Sequence, residues 1–389
     1  MNPVTAALPY NAARIRLLFI TDEMEVGGTQ RQIVHIAKGL DRKIFDPTVA
    51  YFCKRSFLVD ELAGAGVQVV EIPKRLRFDP LFVTRLVRFM RSGQFDLVHC
   101  FSFTGELWGA VARRFLPGAI RPVLITSIRS TYDWYSPLQW RLKRWTSTEA
   151  SAVIANSRAG ADDARARMGL QPGAIEVIYN GVSDASPAAP ATPPASRRQE
   201  NVTALFVGRL VEHKNVPVLL RAMTRLREAG VPIRLRIVGD GPLRKAHAEH
   251  ILSAGLSDVV ELLGERSDTP ELMAAADFIV MPSIREGLSN VILEAMAAGR
   301  AVIASAVGGN VELVEPMQTG LLFASDDDVA LATAMRRLAE DQPLRESLGA
   351  RGRQLAKDRF TVSAMVRETQ AAYLRCLEPH IAMSAERRA

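Results

Sequence analysis

"DFIVMPSIREGLSNVILEAMAAGRAVIAS", residues 277–305, reads as strand, turn, helix, strand. Residues 277–283 form a short apolar run bounded by turn residues, the pattern of a fully buried strand. Ser289 or Asn290 can cap a helix that runs to Ala298, where Gly299 ends it. Residues 300–305 then give a second apolar strand. Two buried strands joined through a helix make a parallel pair, because a parallel connection needs a long crossover.

The same rhythm extends through the chain. In the first half, strands are predicted at 16–21, 48–52, 68–72, 97–101, 122–128 and 152–156. In the second they fall at 203–208, 234–239, 259–264, 277–283, 300–305 and 319–324. Amphipathic helical patterns fill the gaps, so the fold class is α/β with two doubly wound, Rossmann-like domains. Residues 183–201 are rich in Pro, Ala and Ser and have no periodicity, which marks a linker. The expected division is a first domain 1–182, the linker 183–201 and a second domain 202–361. A final helix over about 362–377 is expected to pack back on the first domain, and 378–389 reads as a disordered tail. Paired domains of this kind place a ligand in a cleft between them, outside the carboxyl ends of the strands.

The composition is globular, with 48% hydrophobic and 23% charged residues among 389, too many residues for one ordinary core. Cys53, Cys100 and Cys376 lie far apart in an odd count, which indicates neither a disulfide framework nor a zinc site. The N-terminus lacks the marks of a signal peptide, and no run of about 18 apolar residues predicts a membrane span. A reducing cytoplasm is the expected location. The net charge of +7 is uneven. Residues 1–182 carry 24 Lys and Arg against 16 Asp and Glu, whereas 183–389 carry 25 against 26. A basic first half points to an anionic partner, or simply to an Arg-rich solvated surface.

The turn at 283–290 is where the chemistry concentrates. The strand before it delivers Ser283, Ile284, Arg285 and Glu286 to its carboxyl end. Gly287 permits close backbone approach to a ligand, and the N–H groups of the following helix start suit an anion. Glu286 can accept hydrogen bonds from sugar hydroxyls. Glu294, about one turn into the helix, points back toward its start and can meet a ribose diol. Two acceptors flanking an anion site fit a nucleoside diphosphate sugar. The bland alternative makes Glu286 a solvated loop acid and pairs Glu294 with Arg300.

The stretch "PSIREGLSNVILEAMAAGRAVIASAVGGNVELV" resembles the signature of the family 4 retaining glycosyltransferases, which have the two-domain GT-B architecture. The matching positions are Glu286, Glu294, Gly299, Gly308, Gly309 and Glu312. "MEVGGTQRQIVHIAKGL" resembles the family's N-terminal glycine loop, with Gly27 and Gly28, and "FVGRLVEHKNVPVLLRAM" supplies Arg209 and Lys214. The likeness covers roughly residues 15–375 and is stronger in the second half. It implies catalytic roles for Glu286, Arg209 and Lys214, with the two cations holding the donor diphosphate as charge develops on it. Gly28, Gly287, Leu288, Ser289, Asn290, Glu294 and Arg266 would bind the donor. Within that set Glu286 would meet the sugar, Glu294 the ribose, the backbone at 287–289 the phosphate, and the loop near Glu265 and Arg266 the base.

The acceptor side departs from the family pattern. Arg129 lies near the place of a usual histidine, and Phe101 replaces the second histidine after His99. His99 and Arg129 are the acceptor-side candidates; each has a plain structural alternative. "SDDDVA" at 325–330 resembles a metal-binding acid pair but reads as helix capping, so no metal and no cofactor is expected beyond the nucleotide-sugar co-substrate. The partners expected are a nucleotide-sugar donor and a glycan or lipid-linked acceptor, with no nucleic acid. The stretches 73–92 and 131–147 mix large apolar residues with Arg and Lys, and the second holds Trp134, Trp140 and Trp145 with Arg141, Lys143 and Arg144. They suit docking at an anionic membrane surface on its inner face, or else are helices covering the sheet. The activity expected is sugar transfer in cell-envelope, exopolysaccharide or lipopolysaccharide biosynthesis. A GT-B epimerase or phosphorylase is the rival enzyme, and a nucleotide-sugar or nucleic-acid binder the rival outside enzymes.

Overall fold

A computed structural model describes residues 14–75, 79–183 and 202–386. The predicted linker 183–201 falls, apart from Ser183, outside the described residues. Each predicted strand forms. β1 (Ile15–Ile20), β2 (Phe45–Tyr51), β3 (Gln68–Glu71), β4 (Leu97–Cys100), β5 (Val123–Ile128), β6 (Ala152–Ala155) and the short β7 (Glu176–Val177) make one sheet, in the order β3-β2-β1-β4-β5-β6-β7. β8 (Val202–Val207), β9 (Ile233–Val238), β10 (Val260–Gly264), β11 (Phe278–Met281), β12 (Ala301–Ser305) and β13 (Gly320–Phe323) make a second, in the order β10-β9-β8-β11-β12-β13. Neighbours pair in parallel, for example Phe278 opposite Ala301 and Leu17 opposite Leu97. Both orders reverse direction at a central strand, which is where a doubly wound sheet offers a binding crevice at its carboxyl edge.

The chain divides into two compact units, 1–127 with 135–154 and 366–389, and 128–134 with 155–365. This moves the boundary expected at 182. Residues 155–182 cohere with the second unit because their polar groups bond there: Glu312 receives the amides of Arg158 (3.0 Å) and Ala159 (2.9 Å) and the Tyr179 hydroxyl (2.9 Å). A carboxylate at a helix start meets otherwise unpaired N–H groups and the positive end of the helix dipole. Burial, together with Glu312, pushes the Tyr179 hydroxyl up to about 12. The tail reading is also corrected. The last helix, Val362–Glu386, continues through Pro379 well past residue 377. Its Tyr373 is fully buried in the first unit, where its hydroxyl lies 2.7 Å from His99 Nδ1, and Gln370 accepts the Asp41 amide at 2.7 Å.

The stretch 131–147 was expected to show three cations to a membrane, and one of them does not. Lys143 is buried within the helix Pro137–Glu149, 2.5 Å from the equally buried Glu106, and it also donates to the Ser127 carbonyl at 2.7 Å. Burial pushes the Glu106 carboxyl up against the pull of Lys143. Trp145 packs on the apolar cluster under the sheet, so this part of the stretch is a covering helix, while Arg141 and Arg144 are exposed. Among the described residues no helix is long and apolar enough to cross a membrane.

Replacing Lys143 by Met strands a carboxylate in the core. The variant is expected to lose about 3–5 kcal/mol of stability, most of it restored in Lys143→Met with Glu106→Leu. Urea titration of the two variants measures this; equal stability of Lys143→Met and the parent would contradict the account.

Candidate active site

The carboxyl ends of β8, β11 and β12 in the second unit bring Glu286, Lys214 and the helix start at Ser289 together. β11 ends at Met281, and the loop after it turns back so that the Ser283 hydroxyl donates to Glu286 Oε1 at 2.7 Å. Lys214 closes a single turn after β8 and places its ammonium 2.5 Å from the same oxygen. Both groups are mostly buried, with 17% and 12% of their side chains exposed, so salt and solvent screen the pair less than a surface ion pair. The loop is pinned from behind by Ile284 N–H donating to the His213 carbonyl at 2.8 Å. Burial, and then the Lys214 charge, hold the His213 ring below its usual range; Arg285 and Arg209 add to this. Arg209 therefore shares the same electrostatic neighbourhood and is itself exposed at the end of β8.

Glycines set the fit of these loops. A Cβ on Gly309 would come 2.1 Å from the Gly287 carbonyl oxygen, and one on Gly308 would come 1.9 Å from that of Glu286. Gly308 also has φ +48°, a conformation other residues adopt at a cost. With no side chains in the way, Gly309 N–H donates to the Gly287 carbonyl at 2.7 Å. Gly287 itself lies so close to the backbone of Arg129 that a Cβ would come 2.2 Å from its carbonyl oxygen.

The helix after this loop is Asn290–Ala297, with Ser289 at its N-cap receiving Ile292 N–H at 3.4 Å. Gly299 follows at φ +72°, as a helix stop requires. Leu288 is buried, and its carbonyl accepts from Asn180 Nδ2 at 3.4 Å. The same amide donates to Asn290 Oδ1 at 2.7 Å, and Asn180 Oδ1 receives Arg129 Nη2 at 2.9 Å. Arg129 is thus tied through Asn180 to the first residue of the helix. Sequence reasoning did not find this relay. Asn180 stands in "VIYNGV", where nothing local marks it out, and its burial emerges only in the folded chain.

The other candidates are placed as follows. Glu294 is half-buried on the helix, four residues past Asn290. Arg266 grips Asp268 in a two-pronged ion pair at 2.8 and 2.7 Å after β10. Gly28 is exposed and opens the helix Gly28–Gly39 of the first unit. His99, in the same unit, is buried with Nδ1 on Tyr373 and Nε2 on Ser127 Oγ at 2.8 Å. Phe101, in place of a second histidine, stacks on it with ring centroids 4.1 Å apart. Such a ring orders its neighbours and offers no nitrogen to a substrate. In the acidic run 326–328, Asp327 caps the helix Asp328–Glu340 by accepting Ala330 N–H at 2.8 Å. Asp326 and Asp328 pair with Arg221 and Arg225.

Residues 192–355 match the family described as Glycosyl transferases group 1, and residues 26–186 match Glycosyltransferase Family 4. The 2-deoxystreptamine glucosyltransferase of Streptomyces kanamyceticus is 30% identical over 76% of this chain and 81% of its own length. The chain is a family 4, group 1 glycosyltransferase. The lipopolysaccharide core biosynthesis glycosyltransferase LpsD of Rhizobium meliloti is 34% identical over 49% of this chain and 54% of its own. Among solved structures, Anabaena Alr3699/HepE in complex with UDP-glucose superposes with a TM-score of 0.81 at 25% identity, covering 93% of this chain and 100% of that one. The GT-B fold and the transferase activity expected from the sequence therefore hold, and the epimerase, phosphorylase and pure binder readings give way.

Gly308→Ala is expected to cost about 1–3 kcal/mol of stability through strain and overlap. It should also weaken nucleoside diphosphate binding, since the Glu286 loop must retreat. Gly230→Ala, at φ +67° with nothing within 4 Å of the added carbon, carries strain without overlap. Calorimetric titration should show its diphosphate affinity unchanged. Equal affinity losses in both variants would remove the role given to the loop contact.

Proposed function

We propose that this glycosyltransferase moves a hexose from a nucleoside diphosphate sugar to a glycan or lipid-linked acceptor with retention of configuration, in the making of cell-surface polysaccharide. The observation that carries the donor half is the Lys214–Glu286 pair beside the capped helix start. A cation, a carboxylate and helix amides meet there, as a hexosyl diphosphate demands. When donor binds, its diphosphate competes for Lys214, with Arg209 close by, and both neutralise the leaving group as the glycosidic bond breaks. Glu286, steadied on Oε1 by Ser283, turns its carboxylate to the sugar hydroxyls, and Glu294 takes the ribose. Retention follows a front-face route in which the departing phosphate oxygen receives the acceptor proton. The reaction runs without a metal ion, because the cations that balance the diphosphate are side chains. Arg266, in the same unit, completes the donor contacts. The names of the relatives, which span an aminocyclitol glucosyltransferase and a lipopolysaccharide core enzyme, support an acceptor that bears hydroxyl groups on a ring.

The division of roles has a direct test. Glu294→Ala should weaken binding of the bare nucleoside diphosphate by on the order of 1.5–3 kcal/mol, the worth of a charge-assisted hydrogen bond. Glu286→Ala should cut turnover more than diphosphate affinity. Arg209→Ala and Lys214→Ala should each lower turnover by roughly 10²–10³, with a chelator making little difference. Release of nucleoside diphosphate from a panel beginning with UDP-glucose is the readout. Activity that collapses in chelator and returns with manganese would end the metal-free claim.

We further propose that the enzyme works at the inner face of an anionic membrane through its basic first half. With Lys143 removed from the set, the exposed groups are Arg141 and Arg144 beside Leu138, which is 63% exposed. Each cation near an anionic leaflet contributes about 1 kcal/mol, weakened by salt. The protein should sediment with anionic vesicles at low salt and much less with neutral ones. Arg141→Gln with Arg144→Gln should release it. Indifference to vesicle charge would overturn docking through Arg141 and Arg144.

A further inference from the structure

We propose that Trp134 is a platform on which a pyranose ring of the acceptor stacks, beside Glu286. The inference rests on the transferase reading above and deepens it by naming the acceptor as a saccharide at its reacting end. Trp134 is one of the large apolar side chains left in solvent, with 49% of its surface exposed. It is nonetheless held in place. Tyr132 meets it edge-on with centroids 5.5 Å apart at 72°, and the Arg285 guanidinium lies 4.7 Å from the ring centroid. Tyr132 is itself buried, and its hydroxyl accepts the Arg129 N–H at 2.9 Å. Asp133 pairs with Arg285 at 3.5 Å.

Arg285 is the residue before Glu286, so the indole is fastened to the loop that carries the carboxylate. A loosely held surface tryptophan would signify little. One held by a buried tyrosine and a cation is already ordered, so it loses little side-chain freedom on binding. Its flat apolar face suits the C–H face of a sugar. Asp133 and Arg285, beside it, supply an acceptor and donors for the hydroxyls around the sugar. Insertion into a lipid bilayer fits less well, because the ring is engaged by a charged group whose neighbour is the reaction-site acid.

The test uses the full chain and two probes. Saturation-transfer NMR and titration with methyl α-glucopyranoside and methyl β-galactopyranoside, against glycerol, measure the platform. Titration with UDP, GDP and ADP measures the donor site. Trp134→Ala should weaken glycoside binding about five- to tenfold, the range of a lost aromatic contact, and Trp134→Phe should keep part of it. Affinity for whichever diphosphate binds should stay within about twofold of the parent, since the indole contributes nothing there. Glycosides that bind Trp134→Ala as they bind the parent overturn the platform while leaving the donor reading intact. A parallel loss of diphosphate affinity in Trp134→Ala also overturns it, making the indole a stacking partner for the donor base. Failure of every diphosphate to bind the parent sinks the donor reading instead.

Discussion

Close backbone approach between the loops after β11 and β12 is the condition on which the second unit's site depends. Glycine at 287, 308 and 309 lets three stretches of main chain touch where side chains would force them apart. The contact fixes where Glu286 stands, and so where Lys214 and Ser283 find it. Asn310 adds a stitch by donating to the Ser305 carbonyl at 3.1 Å, and Ser305 Oγ donates to the Ser283 carbonyl at 2.5 Å. These bonds hold the carboxyl edge of the sheet as one piece, which is what preorganised charge requires.

The sheet was readable because buried parallel strands are short apolar runs, and chains such as "DFIVM" and "RAVIAS" leave little else to be. β7 escaped because two residues carry no period. The helix start at Ser289 and stop at Gly299 were equally plain, since caps and stops are local chemistry. Misreadings came where the deciding partner lies far along the chain. Lys143 looks like its neighbours Arg141 and Arg144 until Glu106, 37 positions earlier, is brought beneath it. The boundary at 182 looked natural from the Pro-rich stretch that follows. It moved because Glu312 holds a helix start 154 residues before it. Residues 378–389 read as a disordered tail, yet a proline such as Pro379 costs a helix one hydrogen bond and a bend, and the helix continues to Glu386.

Two polar systems organise this protein differently. Around Glu106, Lys143, Ser127, His99 and Tyr373 every group is buried and the bonds run from one interior partner to the next. Such a network specifies a unique packing and leaves little room for substrate. Around Glu286 and Lys214 the groups are only partly buried and the ion pair can be opened by a ligand with stronger charge. The histidine that a sequence pattern would nominate for chemistry belongs to the first kind. The lysine, which the stretch "FVGRLVEHKNVPVLLRAM" already singled out, belongs to the second.

The bond from Tyr373 to His99 joins residues 274 positions apart, and that from Gln370 to Asp41 spans 329. A polypeptide is made from its N-terminus, so β1 to β6 leave the ribosome long before the helix that fills their core exists. During that interval the pocket for Tyr373 has no occupant, and the apolar wall around Phe45 is open to water. The second unit, whose contacts close over shorter spans, can be complete first. Synthesis at about 5–20 residues per second would leave the early strands waiting many seconds. A chaperone, or the sheet's own provisional collapse, has to cover that surface until residue 373 arrives.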